Sequence, residues 1–291
     1  MTLQDLLDDA KLHLARTGQG DGFQSCGVRN MGVMQTRRAK RSSCSVVEPL
    51  IGLVLQGRKE AQYGTERVRY HQGDIIVIGQ ALPMVSGLVD ASAACPYIAL
   101  YVGIDPQILR AVYSDMVGAS VDDAGPGLET GQADAEVIDA MARLFKLRHD
   151  PIAEQTLGAA ALREVYFRVL RSTKGSALRR IIHADSKANQ VAKAIAHIRR
   201  EYRSTIKASD LAAISGMSAS VFYDAFKRVT ANSPLQYQKD LRLTEAHHLL
   251  QHTGAPISEI AHKVGYDSPA QFSREFSRKF GASPRQFAAA P

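Results

Sequence analysis

The sequence is short of cysteine and has no long apolar run, and each shortage removes a class of function. Only three cysteines, Cys26, Cys44 and Cys95, occur in 291 residues. An odd number argues against a disulfide framework, and no CxxC or Cys/His spacing points to a zinc site. No apolar run approaches the ~20 residues that span a bilayer. The first residues, Met1 to Leu14, carry Asp5, Asp8 and Asp9 in place of a basic head and an apolar core. They read as an amphipathic helix, not a signal peptide. The expectation is a cytoplasmic protein with no membrane partner.

What is present is the composition of a folded chain, 45% hydrophobic and 22% charged, long enough for one large domain or two ordinary ones. The net charge of +7 is unevenly placed: residues 171–291 hold 19 Lys and Arg against 9 Asp and Glu, and residues 1–170 hold 17 against 20. A basic domain joined to a mildly acidic one is the electrostatic footprint of nucleic-acid binding on one side only.

From about Val28 to Gly103 short apolar runs (Leu50–Leu55, Arg67–Tyr70, Asp74–Ile78, Tyr97–Gly103) alternate with turns at Gly57, Gly64 and Gly73. That spacing predicts a small barrel or sandwich. After Pro106 the period becomes helical, with apolar faces at about 108–117, 134–148 and 152–170. Helices of this kind cap a barrel or pair with a second subunit. A polar junction begins at Ser172, so we divide the chain into a sensing and dimerisation domain (1–171), a linker (172–189) and a C-terminal domain (190–291).

The C-terminal domain contains an internal repeat. Asp210-Leu211-Ala212, Gly216, Phe222, Phe226 and Ser233-Pro234 answer to Glu259-Ile260-Ala261, Gly265, Phe272, Phe276 and Ser283-Pro284. Each copy makes sense as a helix-turn-helix, at about 207–229 and 257–280. A small alanine lets two helices cross closely, and a glycine supplies the positive φ of the turn. An N-capping residue then starts the second helix: Ser218 in the first copy, Asp267 or Ser268 in the second. The phenylalanine pairs bury one face. The opposite face carries Tyr223, Lys227 and Arg228 in one copy and Gln271, Arg274, Arg278 and Lys279 in the other. These residues, with Ser218 and Ser268, are the expected DNA contacts, and Tyr223 and Gln271 are the expected base readers. A long helix from about Pro234 to Gln251 joins the copies. It would place two recognition helices in successive major grooves, roughly 34 Å apart.

On these residues the C-terminal part resembles the AraC/XylS family of transcription regulators, most closely from Ile257 to Pro284. One departure is Ala288, where a basic residue commonly follows the aromatic Phe287. The N-terminal part is similar to the cupin-like sensor domain of one subgroup, through Glu48-Pro49-Leu50, Val54-Leu55-Gln56-Gly57-Arg58-Lys59, Gly73-Asp74 and Pro96-Tyr97. The resemblance implies an α+β multidomain chain: a cupin-like β-barrel with flanking helices, then an all-α domain with two helix-turn-helix motifs. It implies a homodimeric regulator, an activator, whose partners are double-stranded promoter DNA and RNA polymerase. Cupin enzymes hold a metal with an HxH pair, a later Glu and a later His. Here the strand region offers only His71, read as a surface residue, so neither a metal, a cofactor nor an enzyme is expected.

The effector is less constrained. Arg37, Arg38, Lys40 and Arg41 cluster inside an acidic domain, which calls for an anionic partner. Arg37 and Arg41 form an RxxxR that looks like the PilZ motif for cyclic di-GMP, a ligand whose phosphates and guanines both suit arginine. Asp90 and Ser92 would supply the accompanying DxSxx, although Cys95 stands where PilZ domains have glycine. Another anionic small molecule remains open. So does oxidant or electrophile sensing through Cys26, through Cys44, whose basic neighbours would activate a thiol, or through Cys95. The remaining alternative is a cupin-like enzyme fused to a DNA-binding module.

Overall fold

The computed structural model describes residues 2–18, 20–38, 43–116, 125–183 and 186–289. Helix α1 (Leu3–Thr17) opens on a capping box: Thr2 Oγ1 accepts from the Asp5 amide at 3.1 Å, and Asp5 accepts from the Thr2 amide at 2.8 Å. Ten strands follow. They are β1 (Gly22–Ser25), β2 (Met31–Thr36), β3 (Ser43–Val47), β4 (Leu50–Gln56), β5 (Arg58–Tyr63), β6 (Glu66–Tyr70), β7 (Asp74–Ile78), β8 (Leu82–Asp90), β9 (Tyr97–Gly103) and β10 (Leu128–Gln132). They form a six-stranded sheet, β1-β2-β9-β4-β7-β10, and a four-stranded sheet, β3-β8-β5-β6. Each registered pairing is antiparallel.

The strand period of two explains the layers. In the six-stranded sheet, Ile51, Leu53, Ile75, Val77, Ile98, Leu100 and Val102 point one way, into a core shared with helices. Val54, Ile76, Ile78, Tyr97 and Ala99 point the other way, toward the four-stranded sheet. Both faces are buried, so these strands read as near-continuous apolar runs. The four-stranded sheet has a polar outer face along β5. Along β5, Ala61 and Tyr63 are buried while Arg58 and Gln62 are exposed.

The outer face of the large sheet is covered by α1 and by α2 (Pro106–Ser114), α3 (Ala135–Lys146) and α4 (Pro151–Arg171), through Leu6, Leu109, Phe145, Leu162 and Val169 among others. Burying each such side chain contributes about 1.5–3 kcal/mol. The stretch read as a junction carries a helix, α5 (Ser176–Ile182), whose Ala177 and Leu178 are buried in this same core. Its Arg180 is buried against Glu129 at 2.8 Å. The chain therefore leaves the first domain from an anchored helix.

The C-terminal part is helical: α6 (Lys187–Glu201), α7 (Ala208–Ser215), α8 (Ala219–Thr230), α9 (Pro234–His252), α10 (Ile257–Lys263), α11 (Pro269–Phe280) and α12 (Pro284–Ala288). It has two cores, one around Phe222, Phe226 and Tyr237 and one around Ile260, Phe272 and Phe276. Helix α9 contributes to both. Its Leu235 is 61% exposed.

Candidate DNA-binding face and effector cavity

The two helix pairs are built as the repeat requires. Gly216 and Gly265 end the first helix of each pair at φ 66° and 94°. At Gly265 a Cβ would lie 2.4 Å from the Arg203 carbonyl oxygen, so close approach as well as φ demands glycine. Ser218 and Ser268 occupy the N-cap positions of α8 and α11. Ser268 Oγ accepts from the Gln271 amide at 3.3 Å, whereas the Ser218 side chain makes no cap bond. Phe222/Phe226 and Phe272/Phe276 are fully buried, with ring centres 5.5 and 5.6 Å apart. Tyr223, Lys227 and Arg228 on α8 are exposed, as are Gln271, Arg274 and Arg278 on α11. Two helices thus present polar, cationic faces to solvent, the arrangement that enters a major groove.

Helix α9 fixes the two pairs relative to each other. The Arg242 guanidinium donates to the carbonyls of Tyr202 (2.6 Å), Arg203 (3.1 Å), Ser204 (3.0 Å) and Gly265 (2.6 Å). Lys239 pairs with Glu275 at 2.9 Å, and Tyr266 donates to the other oxygen of that carboxylate at 2.9 Å. Burial alone would raise the Glu275 pKa, but the hydrogen bonds from Lys239, Tyr266 and Gln271 outweigh it and hold the group below its ordinary value. Asp240, buried on α9, accepts from Asn232 just after α8 and pairs with Lys279 on α11. Lys279, expected as a DNA contact, is therefore committed to an internal ion pair.

The first domain closes over the end of α8. A helix ends with carbonyls that lack intrahelical partners. Here the Gly127 amide donates to Val229 O at 2.9 Å, and the Thr65 amide donates to Ala231 O at 3.2 Å. Thr65 Oγ1 adds a bond to Ala231 O at 3.3 Å. Thr65 lies in the β5–β6 turn beside Gly64, whose φ is 53°. Elsewhere on the contact, Tyr237 donates to Ala81 O at 2.7 Å, Gln80 donates to Ala188 O at 3.1 Å, and Arg199 forks onto Glu48.

Between the sheets lies a cavity of about 430 Å³, within the ~300–1,000 Å³ usual for small-molecule sites. Its wall is mostly apolar, including Met34, Val46, Leu50, Ala61, Ile76 and Met84. Lys59, Tyr70 and Tyr101 supply polar atoms, and Tyr101 shares a 3.2 Å hydroxyl contact with the buried Tyr97. Lys59 Nζ stands 5.9 Å from the Tyr97 ring centre. Burial pushes the Lys59 ammonium down to about 8 and pushes the phenols of Tyr70, Tyr97 and Tyr101 up, so the phenols stay protonated. Glu48, the acid at the cavity wall, is engaged by Arg199.

Two family models match this chain: the AraC-type transcriptional regulator N-terminus over residues 27–177 and a helix-turn-helix domain over residues 211–290. The chain belongs to the AraC-type transcriptional regulators. Curated relatives of the regulator include the lactose operon transcription activator of Staphylococcus xylosus, 30% identical over 36% of this chain and 38% of that one. They also include the transcriptional activator RhaS of Escherichia coli, 26% identical over 51% of this chain and 53% of that one. The matched segments thus span about half or less of these relatives. The structure of ToxT from Vibrio cholerae O395 superposes with a TM-score of 0.55 and 11% identity, covering 92% of this chain and 97% of that one. That likeness shows the same fold: a β-rich domain followed by a helical one. The matches are to regulators, not enzymes. Among the described residues no helix is long and apolar enough to cross a membrane, and no group of three His, Cys, Asp or Glu could hold a metal ion.

Among the described residues, Arg37, Arg38 and Ser92, expected for a cyclic dinucleotide, do not line this cavity. Arg37 donates to Gln35 at 3.1 Å, its amide bonds Asp21, and Arg38 is exposed. Lys40 and Arg41 lie outside the described residues, as does the Asp90 side chain. Ser92 Oγ accepts from the Cys95 amide at 3.0 Å within its own turn. The cysteine expectation needs correction at Cys44. Its thiol lies 3.0 Å from Thr244 Oγ1 on α9, and burial raises its pKa, the opposite of the activation read from its basic neighbours in sequence. Cys95 is exposed and Cys26 is buried. Sequence reasoning missed Lys59. The available signal was the alternation in Arg58-Lys59-Glu60-Ala61-Gln62-Tyr63, which puts Lys59 on the face of Ala61 and Tyr63.

Proposed function

We propose that the protein is an effector-responsive activator that reads promoter DNA with α8 and α11 and holds its effector in the barrel cavity. The observation that carries this reading is one hairpin. Strand β5 lines the cavity, and the turn that follows it caps the C-terminal carbonyls of α8. An occupant that displaces β5 changes the cost of keeping α8 docked, so docked and released arrangements bind the effector differently. That difference is the condition for a population shift. A structure of ToxT, the Vibrio cholerae protein of the same fold, was solved with an unsaturated fatty acid bound, which supports a small, largely apolar effector.

Cyclic di-GMP at Arg37 and Arg41 is the less favoured reading. Its two phosphates need several convergent cations, and among the described residues the cavity supplies one ammonium. Activation further requires RNA polymerase and, for paired half-sites, a second copy of the chain. The test is selection of binding sites from genomic fragments by the full-length protein, then transcription from the recovered promoters. Recovery of discrete sites, with transcription reduced by Arg228→Ala or Arg274→Ala, supports the reading. Binding without sequence preference overturns it.

A further inference from the structure

We infer that Lys59 is a covalent anchor for the effector, forming a reversible imine with an apolar aldehyde enclosed in the barrel cavity. The inference rests on the reading of that cavity as the effector site and names the chemistry that occupies it.

A lysine at an inward position of a strand requires a reason, because burying an ammonium is costly unless it is paired. Lys59 follows the inward parity of Ala61 and Tyr63 on β5 and lines the cavity with Ala61. Among the described residues no carboxylate lies within ion-pair distance of it, and the cavity's own acid, Glu48, is held by Arg199. Its Nζ stands 5.9 Å from the centre of the Tyr97 ring. A half-buried amine facing an apolar cavity is a setting that makes lysine a nucleophile toward carbonyl groups, since desolvation favours the neutral form. With its ammonium pushed down to about 8, Lys59 is roughly one-tenth neutral at pH 7, about 300 times the free-amine fraction of an ordinary lysine.

The remaining groups suit the reaction. Tyr70 and Tyr101 line the same cavity with protonated phenols that can donate to a carbonyl oxygen. The Nζ lone pair attacks the carbonyl carbon, a C–N bond forms, and the C=O π pair moves to oxygen, which takes a proton while the nitrogen gives one up. The resulting carbinolamine loses its hydroxyl, with one further proton, as water, and the nitrogen lone pair closes the C=N bond. No oxidant or reductant is consumed, and added water reverses the step. An apolar aldehyde enters with little desolvation cost.

The test uses the full-length protein with decanal and cyanoborohydride, which reduces an imine to a stable secondary amine, followed by peptide mapping. The expected result is one adduct per chain, at Lys59, formed at least about tenfold faster than at any other lysine, as the difference in free amine allows. The Lys59→Arg and Lys59→Met variants should lose this adduct. Decanal spread evenly over surface lysines overturns the inference. If decanal is not trapped at Lys59, yet decanol or decanoate raises the Tm of the wild type and not of a cavity-filling Ala61→Phe variant, the imine falls and the cavity remains the effector site. If none of the three ligands raises the Tm or reaches Lys59, both readings fall.

Discussion

Replacing Gly64 by alanine should release α8 from the sensor domain without damaging either core. Gly64 sits at φ 53°, a conformation that costs a residue with a Cβ about 1 kcal/mol. The added Cβ would lie 2.4 Å from Ala231 O, 2.7 Å from Ala231 C and 2.9 Å from Thr230 O. All three are backbone atoms, so no side chain can swing aside, and the turn must move away from the end of α8. Moving away breaks two bonds from Thr65 to Ala231 O, each contributing about 0.5–1.5 kcal/mol. The sum is about 2–4 kcal/mol against docking, which shifts the docked-to-released ratio by a factor of roughly 30 to 1,000. Hydrogen exchange at residues 64–66 and 229–231 should rise accordingly, and small-angle scattering should show a larger radius of gyration. Gly18→Ala is the control. Gly18 has φ 63° with nothing within 4 Å of an added Cβ, so it carries the conformational cost without the collision. Equal exchange in wild type and Gly64→Ala would refute the claim that this turn restrains α8.

Three further outcomes are expected. Arg274→Ala should weaken DNA binding and reduce the slope of log affinity against log salt by about 0.9 if it holds one phosphate, whereas Lys279→Met should lower stability and leave that slope unchanged, because Lys279 is paired with Asp240. Burial, with smaller contributions from His248 and His252, pushes His247 down to about 4, between the rings of Phe280 and Phe287. The unfolded chain therefore binds the extra proton first, so stability of the α9–α11 region is full above pH 6.5 and declines as pH falls toward 4. Corrected for the intrinsic pH dependence of exchange, protection of residues 246–276 should fall from pH 7 to pH 5 in wild type and much less in His247→Phe. Finally, an alkylating reagent should label Cys95 well before Cys44, whose thiol is buried against Thr244; equal rates would restore the redox reading.

The two helix-turn-helix units were legible because a repeat repeats its physics: the same glycine, alanine and phenylalanine positions must serve the same turn, crossing and core. Strands β4, β7 and β9 were legible because both of their faces are buried, which leaves apolar runs. Strand β5 was not, since its outward residues are charged and it lies in a sheet with one polar face. Lys59 shared that concealment. A lysine reads as solvated until the parity of its strand is known. Lys279 reads as a free surface cation because its partner, Asp240, comes from a different helix, and Cys44 reads as activated because its burial against Thr244 comes from a segment distant in sequence. Similarly, the junction at 172–189 is polar in composition at its start yet is anchored by Ala177 and Leu178, which no local pattern announced.

The most direct test of the account is a footprint of the full-length protein on a promoter fragment that it selects. The account predicts protection of two major-groove segments about one helical turn apart for each copy bound, with Arg228→Ala and Arg274→Ala each removing a different segment. A single protected segment that both substitutions weaken alike would contradict the claim that α8 and α11 read DNA together.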